Sequence, residues 1–209
     1  MSLTPGIWLI TGASSGFGRT LAEVVLAQGE IAVATLRYPA DLEDLAVTNP
    51  DRLLVLKCDV TKLDEVLSAF SAAIERFGRV DVVFNNAGYA IVSEIEATPE
   101  DAARALFDVN FLGYRQSHTG AVFFPAPDAY RGEGLPSQVV REWFQDGSGI
   151  RGDPRLGAEA IYRFSKLESP PMRWAMGKDS IGGVRMQIKQ VTAETDQFES
   201  WSDNLEVIV

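Results

Sequence analysis

The sequence has little of the chemistry that several enzyme classes require. Its 209 residues include one cysteine, Cys58, and one histidine, His118. A lone cysteine forms neither an internal disulfide nor a cysteine-based metal centre, so we expect Cys58 to be a small buried hydrophobe. A serine–histidine–aspartate mechanism would depend on His118, which lies in an irregular polar stretch. We therefore expect no metal site and no hydrolase triad.

Long apolar segments and an excess of positive charge are also missing. No apolar run approaches the ~20 residues of a membrane span, and the opening MSLTPG lacks the basic and apolar regions of a signal peptide. The 29 acidic residues outnumber the 19 basic ones, for a formal net charge of −10. That charge argues against nucleic acid or an anionic membrane as a partner. With 46% hydrophobic residues, we expect a soluble, cytoplasmic protein with a well-formed core.

Short apolar runs alternate with helical patterns in the first half of the chain. The predicted strands are residues 7–11, 31–36, 52–60 and 80–88. The predicted helices are residues 17–28, 61–77 and 98–114, the second beginning at a capping box formed by Thr61 and Asp64. This alternation predicts right-handed βαβ crossovers. The nearly continuous apolar character of the strands favours a parallel sheet buried on both faces.

The stretch TGASSGFG, residues 11–18, follows the first strand and opens the first helix. Gly12 permits a sharp turn, Gly16 lets the backbone approach a pyrophosphate, and Gly18 lets the helix pack closely on the sheet. The helix N-terminus then offers free N–H groups to phosphate oxygens. Placed between a strand and a helix, the pattern predicts a dinucleotide site.

The end of the second strand indicates which dinucleotide is bound. An acidic residue there would bind a ribose 2′-hydroxyl, but the sequence reads TLRYP, with Arg37 next to the expected place. Arg19 follows the glycine turn. Two guanidiniums favour a 2′-phosphate, and therefore NADP(H) over NAD(H).

Polar residues follow the third and fourth strands. Asp59 and Val60 end the third strand, and Asn86, Ala87 and Gly88 end the fourth. Ligands of open α/β folds bind at this carboxyl edge of the sheet. We expect Asp59 to lie near the adenine amino group and the NNAG segment to line the adenosine and ribose channel.

Together, TGASSGFG, CDV, NNAG and FDVNFLG resemble the short-chain dehydrogenase/reductase family over residues 6–114. The resemblance implies a doubly wound Rossmann-like parallel sheet. It also implies hydride transfer between NAD(P)(H) and a small-molecule alcohol or carbonyl, with an Asn-Ser-Tyr-Lys active site. Asn110 matches the family's asparagine. The implied cofactor-binding residues are Gly12, Ser14, Ser15, Gly16, Phe17, Gly18, Arg37, Asp59, Val60, Asn86, Ala87 and Gly88.

Two interpretations of the later segment IYRFSK stay open. Tyr162 and Lys166 have the Tyr-x-x-x-Lys spacing of the family's acid–base pair, and Ser148 stands 14 residues before Tyr162. In the second interpretation, GDPRLGAEAIYRFSK and SPPMRWAMGKD resemble the C-terminal part of a bacterial and fungal subgroup. Tyr162 then lies on a late helix that packs against the edge of the domain.

The second interpretation implies a chain that lacks its catalytic middle. We expect a single domain over 1–209 whose sheet is truncated after the fourth strand, with a nucleotide-binding half at 6–114. An irregular seam at 115–136 and a C-terminal helical segment at 137–209 would follow. The absent segment would include a helix of the family's dimer interface, which puts that homodimer in doubt. The chain is then an NADP(H)-dependent oxidoreductase by descent, a non-catalytic NADP-binding pseudoenzyme, or an unstable splice or gene-model fragment.

Overall fold

A computed structural model of the chain describes residues 4–110, 121–128, 131–132, 135, 138–142 and 152–203. The chain divides into two compact units, Met1–Leu167 and Glu168–Val209. The expectation of one domain over 1–209, with its subdivisions, stays a prediction.

The first unit alternates strands and helices as the sequence pattern predicts. Its strands are β1 (Ile7–Thr11), β2 (Ile31–Leu36), β3 (Leu53–Lys57), β4 (Val82–Phe84), β5 (Ala90–Val92) and β6 (Ala121–Phe123). Its helices are α1 (Gly16–Ala27), α2 (Glu43–Thr48), α3 (Leu63–Phe77), α4 (Glu100–Asn110) and α5 (Pro154–Ser165). Residues 138–142 are also helical.

Four strands form a parallel sheet in the order β3-β2-β1-β4. This is the doubly wound, Rossmann-like α/β fold that the alternation predicts. In the described part of the chain β4 is an edge strand, paired on one side with β1 through Trp8↔Val82 and Leu9↔Val83. Val83 is 42% exposed, so one apolar position of this edge strand has little cover. A separate parallel pair joins β5 to β6.

Side chains of β1 alternate between two cores, one on each face of the sheet. Trp8 and Ile10 belong to the core that α1 and α5 cover, in which Ala158 is fully buried. Ile7 and Leu9 belong to the opposite core, which Ala73 of α3 covers. The sheet is therefore buried on both faces around β1, as its continuous apolar sequence requires.

Local signals explain where several helices begin and end. Gly29, with φ +80°, follows α1 and stops it. At the start of α5, Pro154 takes the first helical position, and the carboxylate of Asp153 accepts the N–H of Arg155 at 2.7 Å. Glycine commonly ends a helix because it tolerates positive φ, and aspartate commonly begins one because its carboxylate satisfies the free N–H groups of the first turn.

Two local predictions are wrong, and one helix was not predicted. The Thr61–Asp64 capping box does not form: α3 begins at Leu63, and the Thr61 hydroxyl donates to Asp59 at 2.7 Å. The six-residue α2 was not predicted, because its sequence EDLAVT is too short for a helical period to stand out. The apolar stretch MRWAMG, residues 172–177, suggests a short strand from its sequence, but it does not form one.

The sequence pattern predicts a last helix over roughly 179–201. The second unit contains the long helix α6 (Lys178–Phe198), followed by a short 3₁₀ turn over Glu199–Ser202. No side chain of α6 is buried. At its C-terminal end the rings of Phe198 and Trp201 meet edge to face, with centroids 5.1 Å apart.

Candidate cofactor-binding site

The glycine turn between β1 and α1 has no room for a Cβ atom at two of its positions. Gly12 has φ +65°, and a Cβ there would lie 2.8 Å from the Cα of Ala87. A Cβ on Gly18 would lie 2.4 Å from the carbonyl oxygen of Gly12. Gly16 also has positive φ, at +55°. The turn brings the N-terminus of α1 against the carboxyl edge of the sheet, which is the arrangement that binds a pyrophosphate.

Thr11 and Asn86 fix this turn to the end of β4. The Thr11 hydroxyl accepts the backbone N–H groups of Asn86 at 2.9 Å and Ala87 at 3.0 Å. In return, the Asn86 side-chain amide donates to the carbonyl oxygens of Thr11 at 3.1 Å and Gly12 at 3.2 Å. The NNAG segment therefore holds the glycine turn in place through its side chain and its backbone.

A small pocket opens beside the turn at the carboxyl ends of β1, β2 and β3. It is lined by Gly12, Leu36, Arg37, Cys58, Asp59, Val60 and Ala87. Five of these seven residues are among the predicted cofactor-binding residues. The structure thus brings together positions from four separate segments of the sequence, as expected for the carboxyl edge of a parallel sheet.

The loop that carries Asp59 and Val60 is held by hydrogen bonds to its own backbone. Glu65 accepts the backbone N–H of Asp59 at 2.7 Å, and Lys62 donates to the same carboxylate at 2.9 Å. The hydrogen bond from the Asp59 backbone, followed by that from Lys62, lowers the pKa of Glu65. Glu65 was not predicted from the sequence. The signal for such a residue is an acid in the first turn of a helix that follows a strand.

Cys58 is buried, as expected, and is 4% exposed. Burial first, and then the nearby charges of Glu65 and Asp59, raises the pKa of its thiol to about 11. The thiol therefore stays protonated at neutral pH and is a poor nucleophile.

Arg37 and Arg19, the two arginines that favour NADP(H) in the sequence, have different surroundings. Arg37 lines the pocket, and its guanidinium carbon lies 5.6 Å from the ring centroid of Tyr38. Arg19 is directed elsewhere: it donates to Glu23 at 3.1 Å, to the Asp41 carbonyl at 2.9 Å and to Asp44. Arg19 is therefore engaged by three acceptors of α1 and the segment after β2, and the pocket itself contains only Arg37.

The remaining residues of the turn contribute differently. Ser15 is the N-cap residue of α1 and makes no side-chain capping bond, and Ser14 precedes it. The Phe17 ring contacts α5, since a Cβ on Gly157 would lie 2.5 Å from the Phe17 Cε1 atom. One side of the Phe17 ring therefore packs against α5, while the residue stays 38% exposed.

Asn110, the last residue of α4, lies at the same edge of the sheet. Its amide oxygen accepts the Tyr89 N–H at 3.1 Å, and its amide nitrogen donates to the Tyr89 carbonyl at 2.7 Å. A Cβ on Gly88 would lie 3.0 Å from that amide oxygen. Asn110 thus holds the backbone after the NNAG segment, and it borders a cavity of about 430 Å³ that Leu9, Thr11 and Val83 also line.

Tyr162 and Lys166 lie at the opposite edge of the sheet. Their common partner is Glu30, which directly precedes β2: its Oε1 accepts the Tyr162 hydroxyl at 3.1 Å and also the Lys166 ammonium. Its other oxygen, Oε2, accepts the indole N–H of Trp8 at 2.6 Å. β1 is five residues long, so roughly 16 Å of strand separates this edge from the glycine turn. The structure does not bring the Tyr162–Lys166 pair to Asn110.

The electrostatics of Tyr162 oppose an acid–base role. Burial first, and then the hydrogen bond and charge of Glu30, raises the pKa of Tyr162, and these effects outweigh the opposite influence of Lys166. A tyrosine that must release a proton near neutral pH needs a lowered pKa. Ser148, the third residue of the alternative set, lies outside the described residues.

A family model described as short chain dehydrogenase matches residues 7–122, which is more than half of the chain. The chain belongs to the short chain dehydrogenase family.

Similar proteins and structures agree with this assignment. An oxidoreductase of Schizosaccharomyces pombe is 29% identical over 259 aligned positions, covering 90% of this chain and 87% of the relative. A 3-ketodihydrosphingosine reductase of Bacteroides thetaiotaomicron is 37% identical over 111 residues, covering 53% of this chain and 39% of the relative. The crystal structure of a short-chain dehydrogenase from Streptomyces avermitilis superposes with a TM-score of 0.85 at 25% identity, covering 99% of this chain and 100% of that one.

A second solved structure contains a nucleotide. The 3-ketoacyl-(acyl-carrier-protein) reductase from Brucella melitensis, complexed with NADH, matches with a TM-score of 0.50 at 34% identity. That match covers 54% of this chain and 47% of that one.

The matches differ in how much of each relative they include. The chain spans 39% of the length of the Bacteroides relative and 39% of an oxidoreductase of Botryotinia fuckeliana. The alignment with the S. pombe protein runs over 259 positions, whereas this chain has 209 residues. At least 50 of those positions therefore have no counterpart in this chain.

In the part of the chain that the structure describes, no helix is long and apolar enough to cross a membrane. Within the same residues, no group of three or more His, Cys, Asp or Glu side chains is arranged to hold a metal ion.

Proposed function

We propose that this chain is an NADP(H)-binding member of the family that holds the adenosine and pyrophosphate half of the cofactor at the β1–α1 turn. The nicotinamide cofactor supplies the hydride-transfer chemistry of such oxidoreductases when it is bound. The observation that carries the proposal is the cradle at Gly12 and Gly18, whose missing Cβ atoms would otherwise collide with backbone atoms at 2.8 and 2.4 Å. These glycines let the turn pack this closely against the end of β4, so that the free N–H groups at the start of α1 can face a pyrophosphate.

The preference for the phosphorylated dinucleotide rests on Arg37. No acid ends β2, and Arg37 lines the pocket beside Gly12 and Asp59. A guanidinium at this position binds a phosphate through charge-assisted hydrogen bonds, which are about twice as strong as neutral ones. Arg19 does not support the preference, because Glu23 and Asp44 already engage its side chain.

We further propose that the chain carries out no hydride transfer through Tyr162 and Lys166. Glu30 holds both side chains at the amino edge of the sheet, and Trp8 stacks on the Tyr162 ring with centroids 5.8 Å apart. At least 50 positions of the S. pombe alignment have no counterpart in this chain, which supports a chain without the segment that would contain the family's serine, tyrosine and lysine. The proposed role is a cofactor-binding pseudoenzyme of oxidoreductase descent.

The test is a fluorescence titration of the purified chain with NADPH and NADH. We expect saturable binding with NADPH at least about 10-fold tighter, a difference of ~1.4 kcal/mol. Arg37→Gln should reduce this preference to near equality. The matched control Arg104→Gln changes an arginine that pairs with Glu100 on the exposed surface of α4, and it should leave both affinities unchanged. Absence of saturable binding of either nucleotide would overturn the proposal.

An active reductase of a small-molecule alcohol or carbonyl is the second candidate, and family membership favours it. Tyr162→Phe separates the two candidates in an assay of NADPH oxidation with a panel of carbonyl compounds. A pseudoenzyme shows no turnover before or after the change. Turnover in the unchanged chain that Tyr162→Phe abolishes, with NADPH affinity preserved, would establish the reductase.

A further inference from the structure

Within the part of the chain that the structure describes, the helix α6 has no buried residue among its 21. Two adjacent glycines, Gly182 and Gly183, lie in its first half, and each costs a helix about 1 kcal/mol relative to alanine. Most helices in proteins are stabilised by packing of an apolar face rather than by propensity. This helix therefore needs a surface on which to bury such a face.

The apolar face of α6 follows a strict seven-residue repeat. The apolar seam consists of six positions, alternately three and four residues apart: Ile181, Val184, Ile188, Val191, Thr195 and Phe198. The five hydrophobic members are between 37% and 61% exposed. An average spacing of 3.5 residues is the period of a coiled-coil seam rather than of a helix lying on a sheet.

The glycines and the other large apolar residue of α6 lie off this seam. Gly182 and Gly183 follow the first seam position on the outward side, where a Cβ would meet nothing within 4 Å. Met186 is 70% exposed and lies midway between two seam positions on the opposite side. The seam is therefore a single narrow stripe, as a two-helix contact requires.

The charges beside the seam distinguish between the possible orientations of a partner helix. Lys178 and Arg185 flank the seam in the N-terminal half, and Glu194 and Glu199 flank it in the C-terminal half. In an antiparallel pair of identical helices, Lys178 faces Glu199 of the second copy, twice. In a parallel pair, Glu194 faces Glu199 of the second copy, which is a like-charge contact. The charges favour the antiparallel arrangement.

The seam is complementary to itself in that orientation. Ile188 faces Val191 of the second copy near the centre, and the larger Phe198 faces Ile181 near each end. Val184 faces Thr195, whose hydroxyl donates to the Val191 carbonyl of its own helix at 2.7 Å. The hydroxyl is therefore satisfied within the helix, and the Thr195 methyl group can pack in the contact. The same residues meet on both sides of a twofold axis, so the contact closes as a dimer.

We propose that α6 is a self-association helix, and that its apolar seam pairs antiparallel with the same seam of a second copy of this chain. The contact uses neither the first unit nor the cofactor site. A homodimer formed in this way does not depend on the segment of the S. pombe relative that has no counterpart in this chain.

The experiment is sedimentation equilibrium of the full chain over a range of concentrations. We expect a concentration-dependent monomer–dimer equilibrium. Ile188→Arg places a charge at the centre of the seam and should raise the dimer Kd by about 100-fold or more, as loss of a central contact residue does. Met186→Arg, a matched change off the seam, should alter the Kd by less than about 3-fold. Far-UV circular dichroism checks that each variant keeps its secondary structure.

Charge exchange tests the orientation. Lys178→Glu and Glu199→Lys should each raise the dimer Kd by about 3- to 10-fold, because each creates like-charge contacts at both ends. The combined variant should restore the original Kd. A chain that is monomeric at every concentration would overturn the proposal, as would equal effects of Ile188→Arg and Met186→Arg. Failure of the combined variant to restore association would overturn the antiparallel pairing.

Discussion

The phenol oxygen of Tyr162 lies 3.1 Å from Oε1 of Glu30, a residue 132 positions earlier in the chain. The same carboxylate binds the Lys166 ammonium and the Trp8 indole N–H. A spacing that is typical of an acid–base pair therefore forms part of a structural cluster, which joins α5 to the start of β1 and β2. The contact explains why the Tyr-x-x-x-Lys pattern is present at the edge of the sheet opposite the cofactor pocket.

Glu30→Ala tests this cluster as a source of stability. The Trp8 side chain is fully buried, so the change leaves its N–H without an acceptor and separates Lys166 from its partner. We expect a loss of ~1–3 kcal/mol in the free energy of unfolding, measured by urea denaturation. Glu23→Ala is the control: it removes a partly exposed ion pair with Arg19, and such pairs contribute at most about 1 kcal/mol. Equal losses would show that Glu30 has no special role.

Gly18→Ala tests whether the close packing of the glycine turn is needed for cofactor binding. The new Cβ would lie 2.4 Å from the Gly12 carbonyl oxygen and 2.7 Å from the Asn86 amide, so the glycine turn must move. We expect a loss of ~1–3 kcal/mol in stability together with at least a 10-fold weaker affinity for NADPH, measured by titration. Gly152→Ala adds the same atom where nothing lies within 4 Å and should change neither quantity. Unchanged NADPH binding in Gly18→Ala would contradict the proposed position of the cofactor.

Cys58 offers a direct probe of the site, because it is the chain's single cysteine and lines the pocket. Its pKa of about 11, in place of the usual 9.0, reduces the thiolate fraction at pH 8 from about one in ten to about one in a thousand. We expect alkylation by iodoacetamide in the native chain to be at least about 100-fold slower than in urea. Rapid native alkylation would contradict a buried, protonated thiol.

The lowered pKa of Glu65 predicts a pH effect on the loop that carries Asp59 and Val60. A carboxylate with a lowered folded-state pKa contributes stability above its unfolded pKa of about 4.3, and the contribution is lost as the pH falls through the folded value. Glu65→Gln should be less stable than the unchanged chain at pH 7, by up to about 1 kcal/mol. The difference should shrink as the pH falls below the unfolded pKa and vanish once the pH is below the lowered folded pKa.

Thermal melts of both proteins between pH 3 and pH 7 measure this effect. The control is Glu75→Gln, on the exposed surface of the same helix, which should lower the stability at pH 7 less than Glu65→Gln does. A Glu65→Gln difference that persists unchanged at pH 3 would contradict the assigned cause.

The sequence predicts best where the signals are local. The bounds of β1 and β2 were predicted to the residue, because each is an apolar run ended by turn residues. The pocket residues Arg37 and Asp59 were predicted because strand ends of a parallel sheet meet at one edge. The ion pairs of Arg19 were not predicted, because its partner Asp44 lies on the unpredicted helix α2. Glu30 was missed because its three partners come from both ends of the first unit, and no local pattern records such a contact.

The sheet order β3-β2-β1-β4 has a consequence for how this chain is made. All four strands lie within the first 84 residues, so a ribosome has released the whole sheet before α5 is synthesised. The glycine turn, the NNAG segment and the pocket between them can form while more than half of the polypeptide is still to come. The Glu30 cluster and the packing of α5 on the first core must wait, because α5, Tyr162 and Lys166 are synthesised much later. Protease resistance of ribosome-bound chains that expose residues 1–110 would show this order directly. An interruption late in translation would then leave the glycine turn and its pocket already folded.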